Sequence, residues 1–271
     1  MSIEEESKPM GEDLAEAARR AIPLVDLTSL NDDDSDEKIA KLCAQAVTPS
    51  GSVAAVCIYG RFIPIAKGRL GGTGVRVAAV ANFPAGTASV QDTADEVRSL
   101  VAAGADEVDV VLPYRELLAG KESHARELLA TCRLVCGTGV TLKAILETGA
   151  FGEDDDRLAA AAELAIGSGA DFLKTSTGKI SVGATSFAAT CLLEAIRSSG
   201  REVGFKASGG IRDTSQAAAY LSLADRIMGP WWATPATFRF GASSLLGNLL
   251  ACLKANGARR PPVAATALRN G

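Results

Sequence analysis

The sequence predicts an α/β chain folded as a single (β/α)8 TIM barrel, with an extra N-terminal helix and a flexible C-terminal tail. Three observations predict it. Short β-branched runs alternate with alanine- and leucine-rich helical segments along the chain, and eight such runs can be counted. From the third onward they recur at roughly thirty residues, the size of a strand-helix unit with parallel strands. The punctuation repeats too: Ala103-Gly104-Ala105-Asp106 and Ser168-Gly169-Ala170-Asp171 both place glycine where a helix ends, just before a strand. An open doubly wound sheet is the alternative, but no GxGxxG follows the first strand.

Taken in order, the chain opens with a polar, acidic stretch that reads as a helix over about Glu12–Arg20. The first two strands are expected at Ile22–Leu27 and Val53–Ile58. Between them, Asn31-Asp32-Asp33-Asp34-Ser35-Asp36-Glu37 resembles a calcium loop at first sight. It leads straight into Ile39-Ala40-Lys41-Leu42, however, and carboxylates at a helix start favour the macrodipole, so the helix reading is preferred. The third to fifth strands are expected at Val75–Ala81, Glu107–Leu112 and Val140–Glu147. The last three fall at Asp171–Thr175, Val203–Ala207 and Phe238–Gly241, before a helix over Leu245–Lys254. The expected divisions are an N-terminal extension (1–20), the barrel (21–256) and a mobile tail (257–271) that begins with Gly257 and holds Arg259-Arg260-Pro261-Pro262.

A chain of 271 residues is long for an ordinary domain and normal for such a barrel. Composition, 47% hydrophobic and 22% charged, supports a sizeable core. A net charge of -4 argues against a nucleic-acid footprint, while a local positive pocket for a small anion stays compatible with it. No apolar run reaches the length of a membrane span, and Met1–Arg20 is acidic and polar where a secretory signal is apolar, so a cytoplasmic location is expected. The six cysteines, Cys43, Cys57, Cys132, Cys136, Cys191 and Cys252, fall in apolar patterns without a CxxC pair and read as reduced core residues. Cys132 and Cys136 are one helical turn apart, but a tetrahedral zinc site needs four ligands at recognisable spacings. The single histidine, His124, leaves a catalytic zinc almost nothing to bind and reads as a solvated helix residue, so no metal is expected.

The chemistry is signalled by three lysines, Lys143, Lys174 and Lys206, each in the middle of an apolar strand-like run. A lysine pointing into a low-dielectric barrel must lose its proton, find a carboxylate or be repelled by another ammonium. A neutral lysine near pH 7 is a nucleophile for carbonyls. Strand alternation puts Asp109 on one face with Glu107 and Val111, and a mid-strand acid in a helix-covered barrel belongs to the interior, where it can meet Lys143 or the lysines of strands six and seven. Lys174 and Lys206 lie on consecutive strands with Cβ atoms about 5 to 8 Å apart, too close for both to stay protonated in a dry site. Such a set supplies imine catalysis: a neutral amine, a cation that keeps it neutral, and a carboxylate to relay protons.

An anion seat is expected beside it. Ser208-Gly209-Gly210-Ile211-Arg212 follows strand seven, and Gly241-Ala242-Ser243-Ser244 follows strand eight and opens a helix. In such barrels these loops are the usual phosphate site. Thr175-Ser176-Thr177-Gly178-Lys179 adds hydroxyls and a cation.

Several runs together resemble the deoxyribose-phosphate aldolase family: Asp26-Leu27-Thr28, Asn82-Phe83-Pro84, Ala105-Asp106-Glu107-Val108-Asp109-Val110-Val111, Glu147-Thr148-Gly149, Phe172-Leu173-Lys174-Thr175-Ser176-Thr177-Gly178-Lys179, Gly209-Gly210-Ile211-Arg212 and Arg239-Phe240-Gly241-Ala242-Ser243-Ser244. The match runs in order from about Ile22 to Leu253. It implies a class I aldolase that reversibly cleaves 2-deoxy-D-ribose 5-phosphate to acetaldehyde and D-glyceraldehyde 3-phosphate without metal or cofactor, in deoxyribonucleotide catabolism. By position, Lys174 would form the Schiff base, Lys206 would lower its pKa, and Asp109 would move protons with a bound water. Thr177, Gly178, Lys179, Gly209, Gly210, Ser243 and Ser244 would line the phosphate site, with Lys143 and Asp26 in supporting electrostatic roles. Partners would be the sugar phosphate and acetaldehyde, with a homodimer left open. Two features depart from the family: the tail ends Ala267-Leu268-Arg269-Asn270-Gly271 where some relatives end in tyrosine, and Ala85 stands where several carry a larger residue. The alternatives are another Schiff-base sugar-phosphate lyase or transaldolase, and a non-catalytic sugar-phosphate-binding protein. The last predicts loss of Lys174, Lys206 or Asp109, and all three are present.

Overall fold

The computed structural model describes residues 11–257. Eight parallel strands close on themselves: β1 (Val25–Thr28), β2 (Ala55–Ile58), β3 (Arg76–Ala81), β4 (Glu107–Val111), β5 (Thr141–Ile145), β6 (Phe172–Lys174), β7 (Gly204–Ser208) and β8 (Phe238–Ala242). Each pairs with its sequence neighbours, and β1 closes the ring against both β2 and β8. This is the expected (β/α)8 barrel. Helix α1 (Gly11–Ala21) precedes β1, and α2 (Asp36–Gln45), α3 (Ile63–Leu70) and α4 (Val90–Ala102) follow β1 to β3. A short α5 (Tyr114–Leu118) and α6 (Ser123–Cys136) share the β4–β5 connection, and α7 (Asp155–Gly167), α8 (Ser186–Ser199), α9 (Thr214–Met228) and α10 (Leu245–Gly257) complete the outer layer.

The helices start where side chains can satisfy free amides. Ser35, Ser89, Asp154, Thr185 and Asp213 each accept from an amide of the first turn, and Gln216 completes a capping box with Asp213. The acidic run before α2 is such a start, with Ser35 as the cap and Asp36 and Glu37 in the first turn. Asp34 is turned back to accept from Ser29 Oγ at 2.7 Å and from the Asn31 amide at 3.0 Å.

Several expected boundaries shift for local reasons. The first strand begins at Val25, because Ile22–Leu24 forms a 3-10 turn around Pro23, which has no amide to give a ladder. The second begins at Ala55, after a two-stranded hairpin of Val47–Thr48 with Gly51–Ser52. Strand five stops at Ile145, and Glu147 beyond it takes a left-handed backbone with φ 54°. Helix α10 runs on to Gly257, so the expected tail could start only after it; residues 258–271 lie outside the described residues. His124 sits in the first turn of α6, half-buried, with Nδ1 3.1 Å from Glu116, so it is less solvated than expected. Cys132 and Cys136 are buried on α6, and burial pushes their thiols up to about 12 and about 11.

Two apolar regions follow from the pleat. Outward-facing Val108, Val110, Leu142, Ala144, Phe205, Phe238 and Phe240 pack under the helices in the main core. Inside the barrel a separate small cluster joins Leu30, Ala55, Cys57, Ala78 and Val80, so β2 and β3 contribute small apolar residues there. The interior charges Asp26, Glu107, Asp109, Lys143, Lys174, Lys206 and Arg239 come from β1 and β4 to β8. Among the described residues, no helix is long and apolar enough to cross a membrane.

Candidate active site

Asp109 lies at the centre of the charged half. On β4 it faces Lys143 of β5 in register, and Lys143 Nζ donates to Oδ1 at 2.8 Å. Lys174 of β6 and Lys206 of β7 are register partners, and both donate to Oδ2 at 2.7 Å. Asp26 of β1 approaches Lys206 at 2.5 Å and Lys143 at 3.8 Å. The Lys206 contact is an ion pair outside hydrogen-bond geometry, so Asp26 Oδ2 accepts no hydrogen bond. Every one of these side chains is buried. The structure therefore brings together five residues singled out in the sequence.

Two further members were not assigned a site role from sequence. Glu107 is 2.5 Å from Lys143, and Arg239 bridges Glu107 (2.8 Å) and Asp26 (2.6 Å). The alternation that points Asp109 inward points Glu107 inward too, two residues nearer the N-terminal end of β4. Arg239 had the same signal, alternating with the outward Phe238 and Phe240 on β8. Cys57 Sγ lies 3.9 Å from Asp109 Oδ2.

The electrostatics separate the lysines. Burial alone would strip Lys206 of its proton, but Asp109 and Asp26 outweigh it and hold its pKa above the ordinary value. Burial likewise opposes charge on Lys143, and Asp109 and Glu107 win, so its pKa is raised. Lys174 goes the other way: burial lowers its pKa, Asp109 opposes, and Lys206 adds to the lowering. Burial is thus the larger cause, ahead of the like charge that the sequence suggested. Asp109, despite burial, is held well below the carboxylate range by Lys143, Lys174 and Lys206, and Asp26 is lowered by Lys206, Arg239 and Lys143. The arrangement can present a neutral amine beside a fixed cation and a fixed anion.

Above Lys174, at the C-terminal end of the barrel, is a cavity of about 310 Å³. Lys174 contributes to its lining, together with Thr177, Gly178, Lys179, Gly209, Gly210, Ser243 and Ser244, which are the residues expected for phosphate. Thr28, Asn31 and Arg212 also line it. Gly209 has φ 88°, and a Cβ there would lie 3.0 Å from Gly183 Cα, so only glycine lets these loops meet. Helix α10 begins directly after Ser243-Ser244, so its positive end lies next to two residues that line the cavity. Lys179 Nζ donates to the Leu30 carbonyl at 2.6 Å across the mouth. Glu147, also missed, is buried, receives hydrogen bonds from the Thr177 hydroxyl and amide, and anchors this loop; burial raises its pKa although those hydrogen bonds oppose the shift. Its left-handed backbone leaves no signature that sequence periodicity detects.

Comparison with known proteins agrees with this geometry. A protein from Toxoplasma gondii ME49 described as a deoxyribose-phosphate aldolase superposes with a TM-score of 0.83 at 26% identity, covering 91% of this chain and 97% of its own. One from Coccidioides immitis with the same description gives a TM-score of 0.75 at 27% identity, covering 93% and 92%. The tetrameric deoxyribose phosphate aldolase of Aeropyrum pernix, 23% identical with a TM-score of 0.70 over 92% of this chain and 100% of its own, shares the fold. The model of the DeoC/LacD family aldolases matches residues 20–246, a span that holds every residue of the buried cluster and of the cavity floor, and the chain belongs to that family.

Proposed function

We propose that the protein is a class I, Schiff-base aldolase that reversibly cleaves 2-deoxy-D-ribose 5-phosphate to acetaldehyde and D-glyceraldehyde 3-phosphate. The observation that carries this reading is Lys174: a buried amine of lowered pKa, lining a cavity of about 310 Å³, hydrogen-bonded to a carboxylate shared with a cationic lysine. In the cleavage direction the neutral Lys174 amine adds to the C1 aldehyde, and loss of water gives an iminium. The iminium is the electron sink. The C3 hydroxyl loses its proton, the C2–C3 bond breaks, and its electron pair enters the enamine as glyceraldehyde 3-phosphate departs. Protonation at C2 restores the iminium, and water releases acetaldehyde and the amine.

Asp109 is the group within hydrogen-bond reach of Lys174, and so the nearest carrier for these protons. Lys206, paired with Asp109 and Asp26, keeps its charge and opposes reprotonation of Lys174. Phosphate would sit among the amides of Gly178, Gly209 and Gly210, the hydroxyls of Ser243 and Ser244, and the Lys179 cation. A cytoplasmic, deoxyribose-catabolic role fits this chemistry.

The test is borohydride trapping with 2-deoxyribose 5-phosphate, followed by intact mass and peptide mapping. A reduced adduct on the Lys174 peptide supports the reading. Binding without an adduct would favour a sugar-phosphate-binding protein, and trapping only with a longer ketose donor would favour a transaldolase-like lyase.

A further inference from the structure

Below the amine, toward the N-terminal end of the barrel, Arg239 and Glu107 form a buried pair whose part in the chemistry is not explained by contact with the cavity. Arg239 is only 4% exposed and Glu107 0%. Arg239 Nε donates to the Pro235 carbonyl at 2.5 Å, and its guanidinium lies 5.5 Å over the Phe172 ring. Gly204 makes room for that ring: it is the register partner of Phe172, and a Cβ there would come within 2.4 Å of it. The strands are thus built to hold a guanidinium at this point.

From there the charges are linked in contact. Arg239 meets Asp26 at 2.6 Å, Asp26 meets Lys206 at 2.5 Å, and Lys206 shares Asp109 with Lys174. On the other side Glu107 meets Lys143 at 2.5 Å, and Lys143 meets Asp109 at 2.8 Å. With Lys174 protonated, four cationic side chains (Lys143, Lys174, Lys206, Arg239) face three carboxylates (Asp26, Glu107, Asp109). With Lys174 neutral the set balances. In a buried cluster such an imbalance is poorly screened, and Lys174 is the member with the fewest carboxylate contacts.

We infer that Arg239 and Glu107 are positioning residues of opposite sign, which set the protonation of Lys174 through the charge balance of the barrel interior. The inference rests on the reading of Lys174 as the imine nucleophile. The other ionisable groups near Lys174 do not replace this pair. Cys57 on β2 is a thiol whose pKa burial raises; Glu147, held by Thr177, acts on Lys174 as a carboxylate outside the linked pairs, and Lys179 and Arg212 line the cavity above it, so none of these changes in the variants below. Arg76 reaches Glu107 at 3.0 Å but is half-exposed, so solvent screens it.

The balance makes a signed prediction. Arg239→Gln removes a cation, so Lys174 should hold its proton to a higher pH. Glu107→Gln removes an anion and should shift Lys174 by a similar amount toward acid. Arg239→Lys keeps the charge and should stay near the parent, and the double variant Arg239→Gln/Glu107→Gln should return toward it. The measurement is trace acetylation with isotopically labelled acetic anhydride across pH, read on the Lys174 peptide, with circular dichroism on each variant. Opposite shifts with charge-conserving rescue support the inference. Shifts of the same sign, or none in folded variants, would overturn it. If Arg239→Gln does not fold, Glu107→Gln and the double variant decide: an acid shift that the second change reverses supports the idea, and any other result sinks it. Acetylation reads the amine without turnover. A failed borohydride trap therefore counts against the aldolase reading alone, and a missing shift counts against this inference alone.

Discussion

Lys174 and Lys206 stand side by side in register on neighbouring parallel strands and donate to the same oxygen, Asp109 Oδ2, at 2.7 Å each. What separates them is the second carboxylate: Lys206 also has Asp26 at 2.5 Å, whereas Lys174 has only its share of Asp109. One lysine is therefore a lasting cation and the other a candidate free amine.

Lys206→Leu should raise the Lys174 pKa, because a like charge is removed while Asp26 and Asp109 remain. Each unit of rise leaves about tenfold less free amine below the pKa. The expected outcome is a fall of about 10- to 100-fold in kcat/KM near neutral pH, with partial recovery on the alkaline side. A pH-rate profile checks it. An acid limb unmoved from the parent would show that Lys206 does not tune Lys174.

Lys174→Met should abolish trapping and turnover yet stabilise the fold. Folding lowers the Lys174 pKa, so the native state resists a proton that the unfolded chain binds below about pH 10.4. Between the lowered folded value and that pH this group destabilises the native state more as pH falls, and below the folded value the penalty is constant. Methionine removes the penalty, and Asp109 keeps Lys143 and Lys206 as partners. The expected gain is read as a higher Tm near neutral pH that converges with the parent as pH approaches 10. A lower Tm at neutral pH would mean that the Asp109 contact outweighs the desolvation of the amine.

The barrel and the heart of this site were legible because both depend on strand alternation. Apolar runs of thirty-residue period located the strands, and a charged residue inside such a run had to face the barrel interior, as Asp109, Lys143, Lys174 and Lys206 do. Arg239 and Glu107 obeyed the same rule without standing out, since their meaning lies in being joined across the barrel by residues 132 apart in sequence. Glu147 lay beyond the reach of pattern reading, because its role depends on a left-handed turn just after β5. Strand starts at Val25 and Ala55 were misjudged where a proline turn and a hairpin interrupted runs of apolar residues.

Ser244→Asp tests the phosphate seat. Ser244 lines the cavity immediately before α10, so a carboxylate there would occupy the positive end of the helix and repel a phosphate dianion. The loss of a charge-assisted hydrogen bond, about 1.5 to 3 kcal/mol, predicts a 10- to 150-fold rise in KM for 2-deoxyribose 5-phosphate. Turnover of unphosphorylated 2-deoxyribose should change little, because Lys174 and Asp109 are untouched. Equal losses on both substrates would place the phosphate elsewhere.

Gly241→Ala tests how tightly Lys206 is held. Gly241 faces the interior on β8, where a Cβ would lie 2.4 Å from Ser208 Oγ and 3.0 Å from Lys206 Cε. The Ser208 hydroxyl can rotate away, losing its 3.5 Å hydrogen bond to the Gly241 carbonyl, but Lys206 is fixed by two carboxylates and must shift as a whole. A movement of a few tenths of an ångström lengthens its contacts with Asp109 and Asp26 and weakens the field at Lys174. Overpacking of this kind destabilises by about 1 to 3 kcal/mol, so Tm should fall by several degrees. The acid limb of kcat/KM should move alkaline in the same direction as for Lys206→Leu but by less, whereas a variant that lost stability with an unmoved acid limb would show that the methyl is accommodated by Ser208 alone and that Lys206 keeps its place.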